Sequence, residues 1–266
     1  MIIIRFLLGI KTVAICAHYQ TTCSFLGIRD NRFGLVGYGG EGVDNLPHTH
    51  TIKSKLFGAA ESLRIGTANL DTKPGAYKDV RAAVKFAAQY PFRAGVAKAV
   101  ILVPCSKCSQ SKMSENAIKQ ILHDRDIVLH VLQNEDFTLN VKTPKASNII
   151  GMDHTTAFTM RDALNVRLQG DNDLFQQIIV PKDTCMNLAI QRHGSVFNIR
   201  KMNDRRIGSA KYFIEVVARR VAESARPSQQ QICKCVSDNN GNTNTVCKAV
   251  ATPIMKVGVI NRYFFN

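Results

Sequence analysis

Cys105-Ser106-Lys107-Cys108 is the sharpest chemical motif in this 266-residue chain. Two thiols three positions apart, between an apolar run and a helix, match the layout of a thiol–disulfide exchange site. There a helix N-terminus lowers the pKa of one thiol and the other resolves the mixed disulfide. The same spacing supplies half of a tetrahedral zinc site, which Cys233-Lys234-Cys235 would complete. Both readings meet obstacles. A whole strand–helix array precedes the motif, the following helix begins only near Ser114, and the gap to Cys233 is far longer than in compact zinc motifs. The chain has eight cysteines, and three of them crowd the polar stretch around Asn239-Asn240-Gly241-Asn242. Core packing gives no reason for cysteines there. Cys105, Cys108, Cys185, Cys233, Cys235 and Cys247 are therefore disulfide candidates, with their connectivity open. Disulfides persist in oxidising compartments, so the expected location is extracellular. No Asn-x-Ser/Thr acceptor site accompanies them.

Other constellations are weaker. His48 and His50 flank Thr49, and on a strand both would share a face and could hold a metal ion. Two exposed histidines on an edge hairpin is the commoner arrangement and the one expected. His123, His130 and His193 fall in separate elements and read as structural. Gly37-Tyr38-Gly39-Gly40 lacks the Lys-Ser/Thr of a phosphate loop and the spacing of a dinucleotide fingerprint, so it reads as a tight turn. Asp171 and Asp173 have no third acid nearby in sequence, and no G-x-S-x-G elbow occurs. The expectation is a chain without catalytic residues, resident metal or cofactor.

Charge points outward, to partners. Lys and Arg number 35 against 20 Asp and Glu, a formal charge of +15. Such an excess favours polyanionic surfaces. The densest stretch runs from Arg200 to Arg220 and includes Arg200, Lys201, Arg205, Arg206 and Lys211, the candidate surface-binding residues. No Arg-rich tail, zinc-finger spacing or aromatic–basic signature accompanies it, so nucleic acid is not the expected partner. An anionic lipid or sulfated glycan surface, or a protein partner, is.

The elements that must position these groups alternate. Phe33 to Tyr38, Lys98 to Val103, Ile127 to Leu132 and Val196 to Ile199 are apolar runs of strand length. Thr49 to Phe57 alternates like an edge strand. Between them, Tyr77 to Gln89, Ser114 to Asp124, Asp183 to His193 and Ser209 to Ser224 repeat apolar residues at helical spacing. This strand–helix alternation predicts an α/β fold: a doubly wound, mostly parallel sheet with helices on both faces. Met1 to Ala17 holds an apolar run interrupted by Arg5 and Lys11. It reads as a signal peptide or as a core strand, Ile2 to Leu8, and is too short and charged for a membrane span. Residues 135–180 give no clear pattern. From 227 onward the composition turns polar and Cys-bearing.

Taken in order, several segments resemble a known family. Asn31-Arg32-Phe33-Gly34-Leu35-Val36-Gly37-Tyr38-Gly39-Gly40 resembles the second strand of a von Willebrand factor A-like domain. Pro91 to Gly95 through Lys98 to Val103 resembles its helix-to-central-strand passage. Ile127 to Leu132 and Gly194 to Ile199 resemble its later strands. With the C-terminal Cys-x-Cys, the flavour is that of A-like domains in large secreted lipid-transport proteins of arthropods, the apolipophorin and vitellogenin-like group. The resemblance spans about Phe25 to Cys247 and implies an extracellular, partner-binding module.

That family's metal site uses Asp-x-Ser-x-Ser after the first strand, a later Thr, and an Asp after the fourth strand, all hard oxygen ligands. Here Gly9-Ile10-Lys11-Thr12-Val13 follows the first apolar run, and Pro104-Cys105 follows the central one. Thr67 or Thr72 is left as a lone hydroxyl, so the module is expected to work without metal. The organisation expected is a divergent segment over 1–24, which is an altered first strand or a leader, an A-like domain over 25–226, and a Cys-bearing tail over 227–266. The poor match of the first segment raises the expectation that the chain derives from a longer protein.

Overall fold

Strands and helices follow one another in the computed structural model, which describes residues 2–5, 30–60, 62, 79–104, 107–140, 149–159, 170–181, 184–203, 209–225, 231–237 and 243–249. The first elements are β1 (Ile2–Arg5), β2 (Phe33–Gly37), β3 (His48–His50) and β4 (Phe57–Gly58). After them come α1 (Val80–Ala88), β5 (Lys98–Leu102), α2 (Glu115–Asp124) and β6 (Ile127–Gln133). Short pieces follow: β7 (Thr138–Leu139), β8 (Ile149–Met152), β9 (Ala157–Thr159), β10 (Gly170–Asp171), α3 (Asn172–Gln177) and β11 (Ile178–Ile179). Then come α4 (Cys185–Ile190), β12 (Ser195–Asn198) and α5 (Ser209–Ser224), and a hairpin of β13 (Gln231–Ser237) and β14 (Thr243–Ala249).

Three helices, α1, α2 and α4, start where a side chain accepts one of their first free N–H groups. Asp79 accepts from the Ala82 amide, Ser114 from Ala117 and Thr184 from Asn187. The strands form one sheet in the order β10-β9-β8-β12-β6-β5-β1-β2-β3, with β4 also on β2. Five neighbours, β12, β6, β5, β1 and β2, run parallel. β3 and β4 are antiparallel on one side, and β8, β9 and β10 are antiparallel on the other. Chain order therefore reverses direction between β1 and β5, the switch of a doubly wound sheet. Ile2–Arg5 lies at the centre, between β2 and β5.

Alternation along the buried strands splits the core into two layers. Val100, Leu102, Leu129, Val131 and Val196 face α1, α2 and α4, meeting Val84, Leu122 and Leu188. Ala99, Ile101, Leu132 and Phe197 pack instead against Phe213, Val217 and Val221 of α5. Continuous apolar runs in β5 and β6 follow from this burial on both faces. Close approach demands glycine at two places. A Cβ on Gly194 would collide with the Leu129 and Ala189 carbonyl oxygens, and one on Gly151 would enter the Phe197 ring.

Two expected elements differ in extent. Thr49 to Phe57 is not one strand. Lys53 and Ser54 both have positive φ and reverse the chain between Ile52 and Lys55, so β3 and β4 pair separately with β2. The helix expected from Asp183 to His193 spans Cys185–Ile190, because the chain must turn at His193 and Gly194 to enter β12. Residues 135–180 supply the antiparallel extension β8–β9–β10.

The chain divides into two units at Arg226/Pro227. The second contains the β13–β14 hairpin, in which Cys233 stands opposite Cys247 and Cys235 opposite Thr245.

Candidate binding edge at the carboxyl ends of the strands

In open doubly wound sheets, ligands meet the crevice outside the carboxyl ends of the strands. Here that edge is built from the residues that leave β2, β5, β6 and β12. Tyr38, just after β2, is buried, and its hydroxyl donates to the Val103 carbonyl just after β5 at 3.4 Å. After β6 the chain turns through Asn134, Glu135 and Asp136, with Gln133 Nε2 donating to the Glu135 carbonyl at 3.2 Å. After β12 it runs directly into Arg200 and Lys201.

One buried amide ties the last two loops together. Asn198 is fully buried. Its Nδ2 donates to Asp136 Oδ1 at 2.6 Å, and its Oδ1 accepts the Arg200 backbone N–H at 3.0 Å. The same carboxylate lies 3.5 Å from Arg200 Nη1 and 3.6 Å from Lys201 Nζ. Asp136 and Arg200 are each 58% exposed, whereas Lys201 is 16% exposed. Ion pairs this exposed contribute about 0–1 kcal/mol. Asp136 therefore orients the two cations more than it neutralises them. A guanidinium beside an ammonium at a solvated edge is suited to a phosphate or sulfate oxygen cluster.

Of the basic residues singled out from sequence, Arg200 and Lys201 come together here. Lys211 is exposed near the start of α5. Arg205 and Arg206 lie outside the described residues. Sequence reasoning missed Asp136 and Asn198. The available signal was the acidic pair ending an apolar run at Glu135-Asp136 and a polar Asn closing another.

Cys108, on the loop leaving β5, is bonded to Cys185 at the start of α4, with Cα atoms 5.2 Å apart and 77 positions between them in sequence. This corrects the exchange-site alternative, in which Cys108 pairs with Cys105. Cys108 is buried and committed to a distant partner, and Cys105 lies outside the described residues. The backbone positions of Cys233, Cys235 and Cys247 are described, on β13 and β14.

His130, Ser195, Ser224 and Asp153 are tied into internal hydrogen bonds. His130 and Ser195 lie 2.7 Å apart, the atoms of a base and a nucleophile. Both are about 1% exposed. Ser224 spends its hydroxyl proton on the Val221 carbonyl at 2.7 Å, so it accepts from His130 Nε2–H at 2.9 Å. His130 Nδ1 then accepts from Ser195, and the neutral imidazole is fully satisfied. Burial, with the Arg220 charge as a secondary cause, pushes its pKa down to about 3. Asp153, also buried, accepts from the Thr155 and Thr156 amides and pairs with Arg220.

No group of three or more His, Cys, Asp or Glu able to hold a metal ion occurs among the described residues. Pro104 follows β5, and Thr67 and Thr72 lie outside the described residues. Among the described residues no helix is long and apolar enough to cross a membrane.

Five parallel strands with antiparallel edges, helices on both faces and a reversal between β1 and β5 define a doubly wound α/β fold. No family model matches the chain. It is 23% identical over 249 residues to the Apolipophorins of Locusta migratoria, a match that takes 83% of this chain and spans only 7% of that protein. Among solved structures it is similar to BatB from Bacteroides thetaiotaomicron, at 12% identity and a TM-score of 0.41, covering 84% of this chain and 98% of that one. It is also similar to proximal thread matrix protein 1 of the mussel byssus, in a form with a zinc-occupied MIDAS motif. That likeness has 15% identity and a TM-score of 0.33, over 50% of this chain and 37% of the other.

Proposed function

We propose that this chain is a binding module that acts outside the cell and meets its partner through the carboxyl edge of the sheet, without catalysis and without a metal ion in the contact. The observation that carries the reading is the Asp136–Asn198–Arg200–Lys201 constellation. A buried amide fixes a carboxylate, and the carboxylate presents two cations at the edge where doubly wound sheets bind. With a net charge of +15, the matching partner is an anionic surface. The internal disulfide supports an oxidising location. The partial likeness to apolipophorins supports a place within a large lipid carrier, where the anionic surface is that of lipid head groups.

Co-sedimentation with vesicles tests this. The chain should pellet with vesicles containing phosphatidylserine and remain in solution with purely phosphatidylcholine vesicles. Adding 0.5 M salt should release it, because the Debye length falls well below 10 Å. Equal binding to both vesicle types, or none to either, contradicts the lipid-surface reading.

A further inference from the structure

At the opposite, amino end of the parallel strands, two turns bring a pair of imidazoles into contact. His154 occupies the tight turn between β8 and β9. The Asp153 side chain accepts from the Thr155 and Thr156 amides, and the Asp153 N–H donates to the Thr156 carbonyl at 2.9 Å, so this turn is held by its own hydrogen bonds. His193 takes the left-handed conformation, φ 58°, in the turn that enters β12, followed by Gly194 packed against β6. The pairing of β8 with β12 sets the two turns side by side. The ring centroids lie 4.6 Å apart with planes at 89°.

Both side chains are exposed. Neither imidazole has a hydrogen-bond or ion-pair partner among the described residues. That separates this pair from the other described histidines. Both His130 nitrogens are used in the core, His48 Nδ1 already lies on the Leu46 carbonyl, and His123 Nδ1 lies on Asp124.

Two unengaged imidazoles on rigid turns form a bidentate soft-to-borderline donor set. With metal–nitrogen distances of 2.0–2.1 Å and a tetrahedral angle, two histidine rings on one ion have centroids about 5 Å apart. The present separation is already close to that. Exposed rings reorient freely on the picosecond-to-nanosecond scale, so a change of rotamer aims both nitrogens at one point without moving the backbone.

We infer that His154 and His193 form a binding site for a divalent transition-metal ion, zinc or copper, whose other coordination positions are filled by water. The site stands apart from the carboxyl edge and clamps the β8–β9 turn to the entry of β12. Nitrogen donors in this arrangement prefer copper to zinc and do not select magnesium or calcium.

The test is titration of the purified chain with Zn²⁺ alone by isothermal calorimetry, together with electron paramagnetic resonance of the Cu²⁺-loaded protein. The variants are His154→Ala, His193→Ala and the control pair His48→Ala/His50→Ala, each checked for an unchanged far-UV spectrum. The expected result is one Zn²⁺ per chain, at least tenfold weaker binding in either single variant, and no change in the control pair. The Cu²⁺ spectrum should show hyperfine splitting from two nitrogens, lost in either single variant. Absence of Zn²⁺ binding up to about 1 mM, retention of binding in both single variants, or loss only in the control pair overturns the site.

Discussion

Asn198 donates a 2.6 Å hydrogen bond to Asp136 across the gap between the loops that leave β12 and β6. Because Asn198 is buried and Asp136 is exposed, the amide anchors the carboxylate from below while solvent reaches it from above. Arg200 and Lys201 are both aimed by that one carboxylate. Replacing Asn198 by Ala leaves the Arg200 N–H without its acceptor and removes the buried donor that fixes Asp136. The expected cost is about 1–3 kcal/mol of stability in urea unfolding, with weaker surface binding. Asn198→Asp would place two carboxylates at hydrogen-bond distance and should be worse than Ala.

The Cys108–Cys185 bridge spans 77 positions. The chain-entropy account assigns such a loop about 4–5 kcal/mol. Cys108→Ser/Cys185→Ser should therefore unfold at markedly lower urea concentration, and the wild-type protein should move toward the variant's midpoint in reductant. Coincident midpoints for wild type and variant, both in oxidising buffer, would show that the bridge does not form in solution.

Acid should weaken the fold through His130. Its imidazole is held neutral in the native state with a pKa of about 3, against an ordinary 6.5 once unfolded. The stabilisation is complete above pH 6.5. As pH falls from there toward 3 the unfolded state gains a proton that the native state does not, and stability drops by about 1.4 kcal/mol per pH unit. Urea midpoints measured from pH 7 to 4.5 should fall accordingly. The slope should flatten in His130→Gln, although that variant starts from a lower stability because Ser195 and Ser224 lose a partner.

Gly194→Ala should abolish folding rather than reduce it. The added methyl meets two backbone carbonyl oxygens, of Leu129 and Ala189, and neither is free to move without breaking β6 or α4. Soluble expression with a native-like circular dichroism spectrum in this variant would contradict the packing of α4 onto β6.

Strongly buried elements were legible in the sequence for a physical reason. Val100, Ile101, Leu102, Leu129 and Val131 are covered on both sheet faces, which forces the continuous apolar runs that mark parallel strands. Ser209–Ser224 kept its helical stripe because only one face, bearing Phe213, Val217 and Val221, packs on the sheet. The antiparallel pieces β8, β9 and β10 were hidden because two to four residues are too few to show a period. Lys53 and Ser54 carry no Gly or Asn signal for the left-handed turn they make. At the candidate site, Arg200 and Lys201 stood out by charge. Asp136 and Asn198 did not, since their roles depend on two loops meeting 62 positions apart. The partner of Cys108 was equally unreadable, because bridging depends on Cα proximity and not on spacing.

The central claim is that the carboxyl edge binds an anionic surface through Arg200 and Lys201. The most direct measurement compares the wild-type chain with Arg200→Glu/Lys201→Glu on phosphatidylserine-containing vesicles from 50 mM to 500 mM salt. The account predicts strong, salt-sensitive binding by wild type and a loss of at least tenfold at low salt in the variant, with the two converging at high salt. Equal binding by both proteins across the salt range would contradict it.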